Sequence, residues 1–200
     1  MLNDIAKWGL ILGVVMSLSR IVEFNMILSG DVTKFSLLAL EWPLSIAVYV
    51  YIIYRANKRR AASMPKWVGY PMGVAINYAV TISIFASLIV GICSHIYVVG
   101  EVGGYDVYTA RMLESLEGVV AQTELSDSTQ ALYDEAFSNT EGLLANAKDE
   151  PAPSMFSTLI SIMSNYIISG FIIGFIVSFF VRRKAEVADV INDMDDPKKE

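Results

Sequence analysis

The 200-residue sequence has one cysteine, one histidine and a charged fraction of only 18%. A single cysteine, Cys93, excludes an intramolecular disulfide and a cysteine metal cluster, and a single histidine, His95, excludes a metal site built from several histidines. The sequence also has no phosphate-binding loop, no nucleophile elbow and no Ser, His and Asp set. We therefore expect a protein that is not an enzyme, uses no cofactor or metal, and binds no nucleic acid.

Hydrophobic residues are abundant instead, at 54% of the chain with a mean hydropathy of +0.48, whereas a soluble domain has about 45–50%. They are concentrated in four blocks that are separated by polar segments. A helix needs roughly 20 residues to cross a hydrocarbon layer of about 30 Å, and four stretches are long enough: 8–29, 35–54, 68–98 and 154–181. The sequence predicts an all-α integral membrane protein with four transmembrane helices.

Basic residues indicate how these helices are oriented. They are concentrated in the 55–66 loop and at 182–184, and cytoplasmic loops retain Lys and Arg. We therefore predict that both termini are cytoplasmic, with helices 1–3 at 1–98, an extracytoplasmic segment at 99–153, helix 4 at 154–184 and a cytoplasmic tail at 185–200. The 55–66 loop could also bind anionic lipid head groups, or its charges could serve only to set the topology. Four aromatic residues at the span ends are expected to lie at the membrane interface: Trp8, Trp67, Tyr70 and Tyr97.

The predicted extracytoplasmic segment is strongly acidic. From Glu101 to Glu150 it has eleven Asp and Glu residues against Arg111 and Lys148, a local net charge of -9. Apolar residues recur at helical spacing on both sides of a capping sequence at 126–128. This pattern predicts an amphipathic helical hairpin between transmembrane helices 3 and 4.

Three residues that are charged at pH 7 fall within the predicted spans, where each costs about 3 kcal/mol at mid-bilayer. Arg20 and Glu23 lie three residues apart on one helix face. Helix 2 enters the membrane from the side at which helix 1 ends, and it places Glu41 at about the depth of Glu23. The three can form a polar site in which Arg20 binds an anionic group and a carboxylate carries a proton. Alternatively, they form a buried salt bridge that only fixes the packing of helices 1 and 2.

Small residues at regular spacing predict close helix contacts, because they let helix backbones approach each other. Helix 3 has a stripe of small residues at four-residue spacing, formed by Ala79, Ser83, Ser87 and Gly91. Helices 1 and 4 each have a G-x-x-x-G pair, formed by Gly9 and Gly13 and by Gly170 and Gly174. These contacts can lie inside the bundle or at a dimer interface. His95 continues the helix 3 stripe and is expected to be either a hydrogen-bonded structural residue or a pH sensor or relay.

Two glycine-containing stretches and the end of helix 3 resemble one family. The stretches are 7–13 (KWGLILG) and 168–174 (ISGFIIG), the second continuing to Arg182–Lys184, and helix 3 ends at Ile96 and Tyr97. Over nearly the whole chain the sequence resembles a bacterial family of four-helix membrane proteins, domain of unknown function 4199 (DUF4199). The resemblance implies a bacterial inner-membrane location and transfers no catalytic residue. It further implies an accessory role in envelope glycan or lipid assembly, beside a polyprenyl-phosphate glycosyltransferase.

We therefore expect a non-enzymatic accessory or scaffold subunit of an inner-membrane complex, in contact with membrane lipids and with another membrane protein or a second copy of itself. The alternative is a small oligomeric carrier or lipid-handling protein that uses Arg20, Glu23 and Glu41. A sensor that acts through His95 and the acidic hairpin is a third hypothesis. The scaffold hypothesis expects the three charged residues to be sealed against one another, whereas the carrier hypothesis expects them to face a cavity.

Overall fold

A computed structural model describes residues 2–122 and 154–185 of the chain. These residues form helix α1 (Leu2–Ile27), α2 (Val32–Ser63), α3 (Met72–Tyr97), a π-helical segment (Val98–Val102), α4 (Tyr105–Gln122) and α5 (Met155–Val181). Within those two ranges the only β-structure is an isolated bridge between Tyr70 and Arg183. The described part of the chain is therefore all-α.

Four helices are long and apolar enough to span a membrane: α1, α2, α3 with its π-helical extension (Met72–Val102), and α5. The four predicted spans correspond to these helices. α2 continues to Ser63, well beyond the predicted end at 54, because Arg, Lys and Ala favour the helix and can extend it past the apolar block.

The outward faces of these helices are apolar. Large hydrophobic side chains are exposed along each of them, among others Leu10, Leu18, Leu40, Leu44, Phe171, Phe175 and Phe180. An apolar surface of this extent is unfavourable in water and suits the hydrocarbon layer of a membrane. The chain thus has the features of a multi-pass membrane protein.

Helix α3 lies between α1 and α5 and packs against both of them. Glycines on α1 allow the close approach, since a Cβ atom added at Gly9 would lie 2.6 Å from Cβ of Phe85, and one at Gly13 would lie 2.8 Å from Cβ of Ile89. Both glycines therefore face α3 within the bundle.

Glycines on α5 have the same role on the opposite side of α3. A Cβ atom added at Gly170 would lie 2.7 Å from Cβ of Ser83, and one at Gly174 would lie 2.8 Å from Cβ of Ala79. Further along α3, Gly91 faces Leu159 of α5, and the buried Ser87 donates to the carbonyl of Ile84 within its own helix. The small-residue stripe of α3 thus packs against α5.

One end of the bundle, which we call the basic end, contains the 64–71 turn and Arg182–Lys184. Backbone hydrogen bonds join Tyr70 to Arg183 at 2.8 and 3.1 Å, and the Arg183 guanidinium donates to the carbonyl of Met64 at 2.9 Å. Tyr70 itself is fully buried and donates its hydroxyl to Asn57 at 2.7 Å. Tyr70 therefore does not expose its ring to lipid as an interfacial anchor would, because a buried amide on α2 gives its hydroxyl a partner inside the protein.

The opposite end, which we call the α4 end, contains the α1–α2 turn and helix α4. The Ser115 hydroxyl donates to the carbonyl of Ile27 and accepts from the amide of Gly30, and the Tyr108 ring packs edge-on against Phe24 of α1. Helix α4 is thereby fastened to α1 and to the turn that follows it. The second helix of the predicted hairpin falls within 123–153, outside the described residues, as does most of the predicted cytoplasmic tail.

Candidate functional site

The inward face of α2 changes from apolar to polar along the helix. Toward the basic end it is buried through Tyr49, Ile52 and Ile53, and Tyr49 donates to Ser83 of α3 at 2.7 Å. Toward the α4 end the same face presents Ser45 and Glu41, one and two turns earlier. Polar side chains therefore continue the helix face that is apolar and buried toward the basic end.

Glu41 is held by two serine hydroxyls. Ser45 donates to its carboxylate at 2.6 Å, one turn along the same helix, and Ser19 donates to it from α1. Ser19 and Ser45 also lie within hydrogen-bond distance of each other, at 2.5 Å. This small network joins α1 to α2 at the depth of Glu41.

Arg20 and Glu23 form an ion pair along α1. The guanidinium nitrogen lies 2.6 Å from the carboxylate oxygen, and the Arg20 side chain is 44% exposed whereas that of Glu23 is 13% exposed. The guanidinium also lies 5.0 Å from the centre of the Phe24 ring, in cation–π geometry. Arg20 therefore keeps much of its donor surface available despite its partners.

These residues line a cavity of about 430 Å³ between α1, α2 and α5, which we call the interhelical cleft. Arg20, Glu23 and Glu41 all border it, together with apolar side chains that include Met16, Trp42 and Ile46. The structure thus brings the three predicted charged residues to one cleft. It does not join them in one network, since Glu41 bonds to serines while Arg20 pairs with Glu23.

The sequence analysis did not identify Ser19, Ser45 or Tyr166, although all three border the interhelical cleft. The spacing of Ser45, four residues after Glu41, is a usable signal because it puts both side chains on one helix face. No local signal identifies Tyr166, which reaches the cleft only because α5 packs beside α3.

A second cavity, of about 340 Å³, lies on the other side of Arg20 beneath helix α4, and we call it the α4 cavity. Arg20 and Asn165 border both cavities. The remaining lining is mainly hydroxylic, with Ser94 from α3, Tyr105 and Tyr108 from α4, and Ser157, Thr158 and Ser161 from α5. Burial raises the pKa of the Tyr108 phenol above its ordinary value, so this residue stays a neutral hydroxyl.

Ser94 is the least satisfied of these side chains. It is 4% exposed, and its buried hydroxyl has no hydrogen-bond partner in the described part of the chain. A buried polar group without a partner costs about 1–3 kcal/mol. The α4 cavity therefore contains a hydroxyl whose hydrogen is not donated to any described residue. Ser94 precedes by one helical turn Tyr97, whose ring stacks on Phe24 of α1.

His95 lies one residue beyond Ser94 but borders neither of these two cavities. Its Nδ1 atom lies 3.3 Å from the Tyr105 hydroxyl, and the two rings are 5.9 Å apart at their centres. The contact joins α3 to the first turn of α4. A sensor or relay role for His95 stays a prediction.

Within residues 2–122 and 154–185, no group of three or more His, Cys, Asp or Glu side chains is arranged to hold a metal ion. The interhelical cleft and the α4 cavity instead offer one cation, two carboxylates, several hydroxyls and the side-chain amide of Asn165 beside apolar walls. Such an arrangement can bind an amphiphile through hydrogen bonds and charge at one end and apolar contact at the other.

Comparison with known proteins identifies the family. A family described as "Protein of unknown function (DUF4199)" matches residues 7–183. No curated protein and no solved structure matches the sequence. The match covers well over half of the 200 residues and confirms the family predicted from the glycine-containing stretches. The chain therefore belongs to the DUF4199 family.

Proposed function

We propose that this protein binds a lipid-like amphiphile in the interhelical cleft. The observation that carries the proposal is the exposure of the Arg20 side chain, 44%, at a cleft that it shares with Glu23 and Glu41. A sealed ion pair that only fixes helix packing would bury the guanidinium. An exposed guanidinium within a span is instead expected to face a polar ligand or water.

The cleft walls favour a ligand that is mostly apolar. Met16, Trp42 and Ile46 border the cleft, and the side chains of Trp42 and Ile46 are 55% and 60% exposed on the outside of α2. Ligand sites have volumes of about 300–1,000 Å³, and the cleft, at about 430 Å³, is near the small end of that range. We infer that the cleft holds only part of the ligand and that its apolar chain continues past Trp42 into the bilayer.

The location and orientation that we propose follow from the charge pattern. The basic end carries the basic residues of 55–66, which include the last turns of α2, and Arg182–Lys184, so we propose that it faces the cytoplasm of a bacterial inner membrane under the positive-inside rule. Arg20, Glu23 and Glu41 then lie toward the extracytoplasmic side, below α4. An amphiphile of the outer leaflet would reach them by lateral movement within the membrane.

An accessory or scaffold role, with a partner such as a polyprenyl-phosphate glycosyltransferase, remains a prediction of the sequence. It is compatible with lipid binding if the protein supplies a lipid to its partner. The two roles differ in what must accompany the isolated protein, because a scaffold needs a stoichiometric protein and a lipid-binding protein needs a retained lipid.

Native mass spectrometry of the protein released from membranes at native expression level tests the proposal. We expect a lipid that stays bound under conditions that strip the surrounding lipids. The double variant Arg20→Gln/Glu23→Gln removes the ion pair without leaving an unpaired buried charge, and we expect it to retain at least tenfold less lipid. Arg55→Gln is the matched control, since it removes an exposed cation outside the cleft.

Equal lipid retention by the wild-type protein and the double variant would contradict the proposal. A stoichiometric second protein without any retained lipid would also contradict it and would support the scaffold role. In both cases circular dichroism must first establish that the double variant keeps the helical content of the wild-type protein.

A further inference from the structure

We infer that the α4 cavity binds the head group of the amphiphile and that this head group is a phosphate. The inference rests on the proposed function, since it names the chemistry of the ligand that the interhelical cleft is proposed to hold. Arg20 borders both cavities, so a ligand with its apolar chain in the cleft would have its polar end beside the α4 cavity.

The charge of the α4 cavity favours an anion. Among the described residues that line it, Arg20 is the only charged side chain, and no carboxylate is present. The two carboxylates of the site, Glu23 and Glu41, border the interhelical cleft instead. An anionic group in the α4 cavity would therefore contact the guanidinium without facing a carboxylate in the cavity wall.

The first turn of α5 adds to this potential. Ser154 caps the helix by accepting from the amide of Ser157 at 3.1 Å, and Ser157 and Thr158 then border the α4 cavity. The N-terminal turn of a long helix carries a partial positive charge and favours anions. α5 has 27 residues, so its dipole is fully developed.

The buried hydroxyl of Ser94 is the independent observation that points to a ligand. It borders the cavity, it is 4% exposed, and no described residue provides it with a hydrogen-bond partner. A phosphate oxygen in the cavity would accept from this hydroxyl. Phosphate fits the lining better than a carboxylate does, because it offers more oxygens to donors that lie on three sides, namely Arg20 on α1, Ser94 on α3 and Ser161 on α5.

The test uses the delipidated full-length protein with three lipids. Phosphatidic acid and diacylglycerol share the same two acyl chains and differ only by the phosphate, and a fatty acid of the same chain length carries a carboxylate on a single chain. We expect native mass spectrometry to give at least about tenfold preference for phosphatidic acid over diacylglycerol, as one hydrogen bond to a charged group would produce.

Ser94→Ala is the variant that distinguishes a ligand contact from a structural residue. Without lipid we expect it to raise the melting temperature, because it removes a buried hydroxyl that has no partner. With phosphatidic acid we expect it to lose most of the head-group preference, by about three- to tenfold. Ser87→Ala is the matched control, since Ser87 is a buried serine of the same helix whose hydroxyl is already bonded to Ile84.

Each further outcome overturns one statement. Equal binding of phosphatidic acid and diacylglycerol overturns the head-group inference but leaves lipid binding intact, whereas the absence of any bound lipid overturns the proposed function itself. A fatty acid that binds as tightly as phosphatidic acid overturns the assignment to phosphate. Inorganic phosphate that raises the melting temperature when phosphatidic acid does not would assign the cavity to a soluble anion and overturn the lipid source.

Discussion

The two ends of the helical bundle differ in the burial and the hydrogen-bond partners of their polar side chains. At the basic end, Tyr70 and Asn57 are fully buried and bonded to each other, and the backbone of Tyr70 is paired with that of Arg183. At the α4 end, the Arg20 side chain is 44% exposed and the buried Ser94 hydroxyl has no described partner. The polar groups of the basic end thus mostly join the helices to one another, whereas Arg20 and Ser94 at the α4 end keep hydrogen-bonding capacity that the described residues do not use.

This difference indicates where the protein binds its ligand. Hydrogen bonds hold the helices of the basic end in a fixed arrangement. Its one buried donor without a described partner, Nε of Arg183, belongs to a guanidinium that already donates to the carbonyls of Met64 and Pro65. Polar groups without partners lower the stability of a protein, so they are expected at sites that bind something. The predictions below test this comparison, beginning with the largest expected effect.

The largest effect is expected at Gly69 of the basic end. Its φ is +70°, and an added Cβ atom would lie 2.7 Å from the backbone nitrogen of Ala185. Gly69→Ala should therefore lower the free energy of unfolding by about 2–4 kcal/mol, through strain and a clash with backbone that cannot move aside. Thermal unfolding in detergent, followed by circular dichroism, measures this loss.

Gly73→Ala is the control for Gly69→Ala. It lies four residues further on, within α3, where an added Cβ atom would meet nothing within 4 Å. We expect it to be neutral or to stabilise the helix by about 0.5–1 kcal/mol. Equal effects of the two substitutions would mean that the close approach of Gly69 to the backbone of Ala185 does not stabilise the basic end.

A smaller effect is expected from Tyr70→Phe, which removes the hydroxyl that donates to Asn57 at 2.7 Å. Because Asn57 is fully buried, its amide oxygen would be left without that donor, and the loss should be about 1–3 kcal/mol. Tyr51→Phe is the control, since Tyr51 is 60% exposed and should tolerate the change. If the two variants unfold at the same temperature, the contrast between the two ends is weaker than the structure indicates.

The ion pair at the α4 end should contribute less than either contact of the basic end. Arg20→Gln removes the partner of Glu23, but the guanidinium is 44% exposed, so we expect a loss of only about 1 kcal/mol. Glu23→Gln combined with Arg20→Gln should recover part of it, because no unpaired carboxylate then remains. A double-mutant cycle from thermal unfolding measures the coupling, and a value above about 3 kcal/mol would identify the pair as a sealed structural bridge.

The sequence predicted the four spans and the three charged residues of the interhelical cleft because both have local signals. Apolar blocks of about 20 residues identify spans, and a charge within such a block is conspicuous. Arg20, Glu23 and Glu41 were therefore found without any knowledge of how the helices pack.

The α4 cavity could not be predicted in the same way. Ser94, Ser161 and Asn165 are ordinary polar residues of membrane helices, and they become one lining only because α3 and α5 pack side by side beneath α4. The burial of Tyr70 was missed for a similar reason. Its sequence position at the end of a span favours the interface, and only the packed structure shows that Asn57 lies within reach of its hydroxyl.

The smallest effect is expected at Glu41, where stability and binding should separate. Glu41→Gln keeps an oxygen that can accept from Ser19 and Ser45, so the free energy of unfolding should change by less than about 1 kcal/mol. Glu41→Leu leaves both serine hydroxyls without that acceptor and should cost more. Because Glu41 borders the interhelical cleft, both variants should alter lipid retention in native mass spectrometry even where Glu41→Gln leaves stability unchanged. A Glu41→Gln protein with normal lipid retention would show that the carboxylate charge has no part in binding, and the polar contacts of the ligand would then lie at Arg20 and in the α4 cavity.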